Sequence, residues 1–527
     1  MSIVRIHSQS TDPAPAEIVG AKAANLARVA ALGLPVPPAF VLPVELCAAS
    51  VHGDAAARQR IADGLAEGIG FLEQTTGKSF GGRRRPLLVS VRSGAARSMP
   101  GMLDTVLNVG CTAAAVRGLV RMTGHPRFAT DCRRRFLESF GSVVLDIEPQ
   151  TFKRRLDDLA AAEGVEDEQM LDGEALERLV ESYRQAIEDE ECVLADEPMD
   201  QLRAATAAVY RSWFSDRACT YRKLQNMEDL AGTAVTVQAM VFGNSGAASA
   251  AGVAFSRDPS SGAAQPVIDV LFDSQGEDVV SGRRNPQTED AIAHSLPEVA
   301  VQLRDALVRL ERAFNDVQDV EFTIEDGKLW FLQTRAAKRT PQAALRFAID
   351  FVREGRITPA EALRRLRGVD LSSLVTNRLV DAGDAVARGI AASSGVAVGR
   401  AAFACESARQ LAASGEPVIL VRPDTSTADV AGFAASVGIV TAVGGRTAHA
   451  ALVARQMGKP CVVACAGLAV DAADHSAQLA RHTLNEGDWL SIDGGSGEIY
   501  LGRGRVISDR PAVELAQVEQ WRAQPLQ

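Results

Sequence analysis

The 527-residue sequence predicts a multidomain chain of α/β and α+β class, and three features carry that prediction. Helical and strand signals alternate through the first hundred residues. A strongly helical stretch at about 131–226 separates them from strand signals that return over 233–334. A second, glycine-punctuated alternation runs from about 390 to 501. A chain of this length accommodates about two to four domains.

In order along the chain, apolar residues recur at helical spacing from Ile18 to Leu32 and stop at Gly33. The segment LPVPPAFVL then reads as extended, and PLLVSVRSG as a buried strand entering a glycine turn. GEALERLVESYRQAIEDEE typifies the helical insert, with apolar residues three and four apart. TAVTVQAMVFG, GVAFS and VIDVLF follow as strands, and DVEFTIEDGKLWFLQTR as a hairpin turning at Asp326 and Gly327. After Thr340 come two connector helices. The second opens with Thr358 as N-cap, Pro359 at its first position and Glu361 completing a capping box. The last alternation ends in the strands DWLSID and GEIYLG and forms a separate compact α/β domain.

Composition excludes several classes of function. The formal charge is −10, the pI is about 5.4, and the densest basic run, Arg83–Arg85, is short, so no nucleic-acid surface is expected. The N-terminus has no apolar core of a signal peptide, and no apolar run approaches the roughly 20 residues that span a bilayer. A soluble, cytoplasmic protein without membrane contacts is the expectation. The eight cysteines lack zinc-site spacing, Cys461 and Cys465 included, and read as reduced core thiols.

The sharpest chemical feature is GGRTAHAALVARQMGKP, residues 444–460, where a helical run begins around His449. Backbone N–H groups and the helix dipole favour an anion there, which suits a phosphohistidine; read alone, His449 could equally cap or pack its helix. The other histidines, His7, His52, His125, His294, His475 and His482, share no such setting.

A phosphoryl donor needs acidic metal ligands and basic phosphate clamps. Asp319 and Glu321 share one face of the first hairpin strand, and Gln333 and Arg335 one face of the second. The strand register decides whether those faces coincide. A three-residue loop ending in a left-handed Gly327, with Asp319 opposite Gln333, is the expectation, since a tight Asp-Gly turn would place the two sets on opposite faces. Lys22 at a helix start, Arg92 at a strand end and Arg135 in the first insert helix are candidate clamps. No Walker A motif and no GxGxxG is present.

AKAANLARVAALGLPVPPAFVL, PLLVSVRSGAARSMPGMLDTVLNVG, TAVTVQAMVFGNSG with GVAFSRDPSSG and SQGEDVVSGRRNPQ, QDVEFTIEDGKLWFLQTRAAKRT and GGRTAHAALVARQMGKPCVV together resemble the pyruvate phosphate dikinase family, from near the N-terminus to about Gly502. That resemblance implies an ATP-grasp nucleotide-binding domain over 1–340 with the helical insert at about 131–226. It further implies a helical linker at 341–387, a swivelling phosphohistidine domain at 388–505 and a C-terminal tail at 506–527. The family's barrel for phosphoenolpyruvate or pyruvate needs about 200 residues or more. The sequence ends 25 residues after Gly502, so a form lacking the barrel is expected.

By resemblance, Lys22, Arg92, Arg135 and Arg335 bind ATP phosphates, Asp319, Glu321 and Gln333 bind magnesium and nucleotide, and Gln238 and Met240 line the adenine. Thr447 and Arg92 join His449 as catalytic residues. ATP and Mg2+ are the implied cofactors. His449 takes a phosphoryl group from ATP, with inorganic phosphate consumed and AMP and pyrophosphate released, and passes it to an acceptor held by a partner subunit or barrel protein. A homodimer is also implied. Two departures from the family pattern stand out. Ser249, Ala250, Ala251 and Gly252 replace a more glycine-rich loop, and Ala448 replaces a serine. They keep open an alternative, a catalytically degenerate nucleotide-binding regulator or scaffold.

Overall fold

The structure, a computed structural model, describes residues 3–8, 14–97, 99, 102–165, 168–281, 284–371, 374–425, 429–446, 448–471 and 474–523. The chain divides into two compact units, Met1–Ser245 with Trp330–Thr334, and Gly246–Leu329 with Arg335–Gln527.

The first unit is built on an antiparallel sheet with the strand order Val4–Ile6, Ala39–Leu42, Thr233–Ala239, Val89–Ala95, Thr105–Val109. Every residue of the central Thr233–Ala239 strand is buried, as happens when both faces of a sheet are covered. The register sets Arg92 opposite Thr236 and Ser90 opposite Gln238, which puts all four side chains on one face. Helices Pro126–Val143, Pro149–Glu163 and Pro198–Ser212 each begin with proline at a first-turn position, where the missing N–H costs nothing. Phe136, Phe140, Phe152 and Tyr183 are fully buried among these helices and their neighbours, each phenylalanine contributing about 2–3 kcal/mol of apolar burial.

A glycine pair fixes the geometry beside the sheet. The helix Ala16–Ala31 breaks at Gly20, whose φ is 78°, and a Cβ there would lie 2.0 Å from the Gly94 carbonyl oxygen. Only glycine meets both conditions. The helix resumes just before Lys22, against the strand that carries Arg92.

The second unit opens with a sheet that runs Gln287–Thr288, Val267–Phe272, Ala250–Phe255, Gln318–Glu325. Ala250 and Ala251 are not in a loop. They pair with Phe272 and Leu271 on one side and with Ile324 and Thr323 on the other, and both are fully buried. The hairpin also departs from expectation. Asp326 and Gly327 have φ of 49° and 76°, the double left-handed signature of a tight two-residue turn, whereas the expected loop needs a right-handed Asp326. Yet the polar faces are not separated, for Arg335 reaches Asp319 at 2.8 Å. The bond from the Ala337 N–H to the Val317 carbonyl, 2.9 Å, is one residue out of step with that tight turn, so the pairing slips between tip and base.

The connector helices are Pro341–Arg353 and Pro359–Arg365. Thr340 accepts from the Ala343 N–H at 3.1 Å and Thr358 from the Glu361 N–H at 3.2 Å. The return half of the Thr358 capping box is replaced, because the Glu361 carboxylate binds Arg364 and Arg365 at 2.6 and 2.7 Å. Over 506–523 the expected tail is not plain: the strand Arg505–Asp509 pairs with Thr376–Val380, and the helix Ala512–Ala523 buries Val518 and Trp521 against the connector.

The rest of this unit is an eight-stranded sheet whose centre is parallel, Val396–Ala402, Val418–Arg422, Gly438–Thr441, Cys461–Val463. The helix His449–Gln456 is the crossover between its last two parallel strands. No helix among the described residues is long and apolar enough to cross a membrane. The cysteines are free thiols, and burial pushes Cys111 and Cys461 up to about 12, which makes both poor nucleophiles.

Candidate active site

In the first unit a single pocket gathers Lys22, Arg92, Thr236, Gln238, Leu332 and Gln333. The Arg92 guanidinium donates to Gln238 Oε1 at 3.4 Å, and Gln238 Nε2 donates to the Pro37 carbonyl at 3.3 Å, which fixes its amide orientation. Thr236 Oγ1 is buried in this pocket without a hydrogen-bond partner among the described residues. Asn25 donates to the Thr334 carbonyl at 3.0 Å and the Phe331 N–H to the Pro35 carbonyl at 2.8 Å, so the segment 330–334 is held beside the pocket by this unit's own backbone. Two cations, two amides and an orphaned hydroxyl around one pocket suit a polyanion with polar substituents.

Arg135 is placed elsewhere. It is buried in helix Pro126–Val143, where its Nε donates to Asp131 at 2.8 Å. Burial favours the neutral acid at Asp131, but Arg135 and Arg134 together hold its carboxyl well below the usual range, and Asn244 adds a bond at 3.1 Å. Met240 sits one residue past the end of the central strand and packs against the core of the first unit, its N–H bonded to the Leu88 carbonyl at 2.9 Å.

In the second unit Asp319 and Glu321 are two apart on strand Gln318–Glu325. Asp319 is 2% exposed; burial pushes its carboxyl up, opposed by Arg335, and its Oδ1 has no hydrogen-bond partner among the described residues. No cluster of three or more His, Cys, Asp and Glu that could hold a metal occurs among the described residues. Magnesium does not require one, since it is commonly bound through one or two carboxylates with water and substrate phosphates completing the shell. Two carboxylates with an orphaned oxygen fit that mode.

His449 is the first residue of its helix, just beyond the carboxyl end of strand Gly438–Thr441, where open α/β sheets place their ligands. Burial pushes its imidazole below the ordinary histidine value, with Asp429 opposing, so the ring is neutral at pH 7. Its Nδ1 is buried without a hydrogen-bond partner among the described residues, and Phe433 meets the ring edge-on at 5.9 Å. Thr447 lies outside the described residues.

Three residues that sequence reasoning missed surround the His449 loop. Arg446 binds Asp269 through both its backbone N–H, 2.6 Å, and its guanidinium, 3.0 Å. Arg455, 1% exposed, donates to the Arg446 carbonyl. Burial pushes its guanidinium down to about 10, with Asp319 and Asp269 opposing. No local pattern announces these contacts, since each joins segments more than 100 residues apart or an arginine inside an ordinary helical run.

Residues 53–297 and 291–355 match the family described as pyruvate phosphate dikinase, AMP/ATP-binding domain. The chain belongs to the pyruvate phosphate dikinase family. Residues 414–497, which include His449, match the mobile domain of PEP-utilising enzymes. Among its relatives are pyruvate, phosphate dikinase of Clostridium symbiosum, 42% identical over 92% of this chain and 56% of that protein, and that of Rhizobium meliloti (strain 1021), 40% identical over 95% and 58%. The chloroplastic pyruvate, phosphate dikinase 1 of Zea mays is 40% identical over 92% of this chain and 52% of its own length. The chain thus spans between half and three-fifths of these pyruvate phosphate dikinases.

Proposed function

We propose that this chain is an ATP-dependent phosphotransferase that autophosphorylates His449. The observation that carries this reading is the setting of His449: a neutral, half-buried imidazole at a helix N-terminus beyond the end of a parallel strand. A neutral ring keeps a lone pair for attack, and Nε2 is the attacking nitrogen because Nδ1 is buried.

On this reading residues 1–340 are an ATP-grasp domain with the insert at 131–226, 341–387 a linker and 388–505 a swivelling domain. Lys22 and Arg92 hold ATP phosphates, Gln238 and Met240 bind the adenine end, Arg335 joins the clamp, and Arg135 acts through Asp131 rather than by direct contact. Asp319 and Glu321, with Gln333, would hold magnesium, which when bound neutralises phosphate charge. Nε2 attacks the β-phosphorus, the bond to the AMP oxygen breaks, and AMP leaves. Inorganic phosphate then removes the terminal phosphoryl group as pyrophosphate, leaving the β-phosphoryl group on His449. The Nε2-phosphoryl group is afterwards passed to an acceptor of the pyruvate/phosphoenolpyruvate class bound outside the matched segment, and Thr447 keeps the catalytic role that the resemblance implies. Ala250 and Ala251 do not oppose the reading, since their methyl groups lie within a paired strand.

The test is incubation of the protein and its His449→Ala variant with magnesium, inorganic phosphate and ATP labelled at the β-phosphate. Acid-labile, base-stable label on the wild type alone supports the assignment; equal labelling of both, or of neither, contradicts it.

A further inference from the structure

Gly444, Gly445 and Arg446 lie just ahead of the His449 helix. The Gly444 N–H donates to Asn285 Oδ1 at 3.3 Å. Gly445 has an ordinary φ, so torsion does not demand glycine there; contact does, since a Cβ would sit 2.7 Å from Pro286 Cγ and 2.9 Å from Asp269 Oδ2. Arg446 then occupies both oxygens of Asp269, one with its backbone N–H and one with its guanidinium. Asp269 is 1% exposed, on strand Val267–Phe272, two strands from the one that carries Asp319 and Glu321.

Arg455 completes the arrangement from behind. It projects from the His449 helix over the Phe255 ring, 5.1 Å to its centroid, and holds the Arg446 carbonyl. Arg446 and Arg455 thus come from the phosphohistidine segment, while Asp269, Asp319 and Phe255 come from the carboxylate-bearing sheet. A buried carboxylate with both oxygens engaged is a specific seat, because each group is costly to bury unless the other is present.

We propose that Gly445, Arg446 and Asp269 are positioning residues that seat the His449 loop on the Asp319-bearing sheet, and that this seat is the docked state from which His449 is phosphorylated. The proposal rests on the phosphotransferase reading, deepening it by naming what holds the nucleophile's loop. None of the three need touch ATP. They act by making one placement of the loop more populated than others, which raises the labelling rate without altering nucleotide affinity.

The experiment compares full-length wild type with Arg446→Ala, Arg446→Lys, Asp269→Asn and Gly445→Ala. Hydrogen exchange is read at segments 267–272 and 284–288 for the loop variants, and at 438–446 for Asp269→Asn. The single-turnover rate of labelling from β-labelled ATP is measured alongside. The expected result is exchange at least tenfold faster at the seat in Arg446→Ala, Asp269→Asn and Gly445→Ala. Labelling should be at least tenfold slower at saturating ATP, with the half-saturating ATP concentration unchanged and Arg446→Lys recovering most of the rate. Unchanged exchange overturns the seat. Faster exchange with labelling unchanged or accelerated overturns its positioning role. If the wild type takes no label, the phosphotransferase reading falls by itself, while exchange still decides whether the seat exists.

Discussion

The two units meet the problem of gathering charge in different ways. In the first, Lys22, Arg92 and Gln238 converge because backbone geometry leaves them no alternative: a sheet register sets Arg92 and Gln238 on one face, and a Gly20–Gly94 contact lays the Lys22 helix start against that strand. In the second, buried carboxylates are held by arginine side chains, Asp319 by Arg335 of the same hairpin and Asp269 by Arg446 from a segment 177 residues away. A backbone-built cluster is present whenever the sheet is present. A side-chain-built cluster depends on which partners are docked, and so can change during a cycle. The proposed function calls for such a difference, a fixed phosphate pocket in one unit and a nucleophile free to move in the other.

The contrast can be broken most severely at Arg92. Arg92→Ala should lower the labelling rate of His449 by 10²–10³-fold, about 2.7–4 kcal/mol, the range for removing one preorganised donor from a charge-stabilising site. Circular dichroism should be unchanged, because the register does not depend on that side chain. Next comes Gly20→Ala, which combines a left-handed φ with a clash at the Gly94 carbonyl and should destabilise the first unit by about 3 kcal/mol, read as a lower urea midpoint. If instead Gly20→Ala is neutral, the cluster is not backbone-built.

Much of this was legible beforehand. The hairpin strands, the His449 helix start and the Thr340 and Thr358 boundaries follow from apolar periodicity and capping residues, which act over a few positions. The tight turn at Asp326 was not, since Asp-Gly supports several turn geometries and the one-residue slip further down decides which faces meet. Nor was the insertion of Thr233–Ala239 between Ala39–Leu42 and Val89–Ala95, a pairing across more than 100 residues that no local pattern encodes. Asp269 reads as a polar interruption in VIDVLF until Arg446 is seen against it. Resemblance gives Lys22, Arg92, Arg135 and Arg335 to phosphates, Gln333 with Asp319 and Glu321 to magnesium and nucleotide, and Gln238 with Met240 to adenine; the structure gathers Lys22, Arg92, Gln238 and Gln333 around one pocket and leaves Arg135 in an ion cluster with Asp131.

Smaller effects sharpen the comparison. Thr358→Ala removes an N-cap from the connector and should cost about 1 kcal/mol, visible as a modest fall in thermal midpoint with labelling unaffected. The pH dependence of labelling is the mildest test. Burial lowers the His449 pKa, so the nucleophilic neutral form persists to lower pH than in an ordinary histidine. The acid limb of the single-turnover rate should therefore lie below the ordinary value of 6.5, with the rate lost as pH falls through the depressed pKa. A limb at or above 6.5 would show that His449 is solvated when it reacts.

The most direct measurement of the central claim follows two labels at once, ATP marked at the β-phosphate in one sample and at the γ-phosphate in another, each with magnesium and inorganic phosphate. The account predicts that β-label remains on the protein at His449 while γ-label appears in pyrophosphate. Retention of γ-label at His449, or β-label leaving with the nucleotide as ADP, would contradict it.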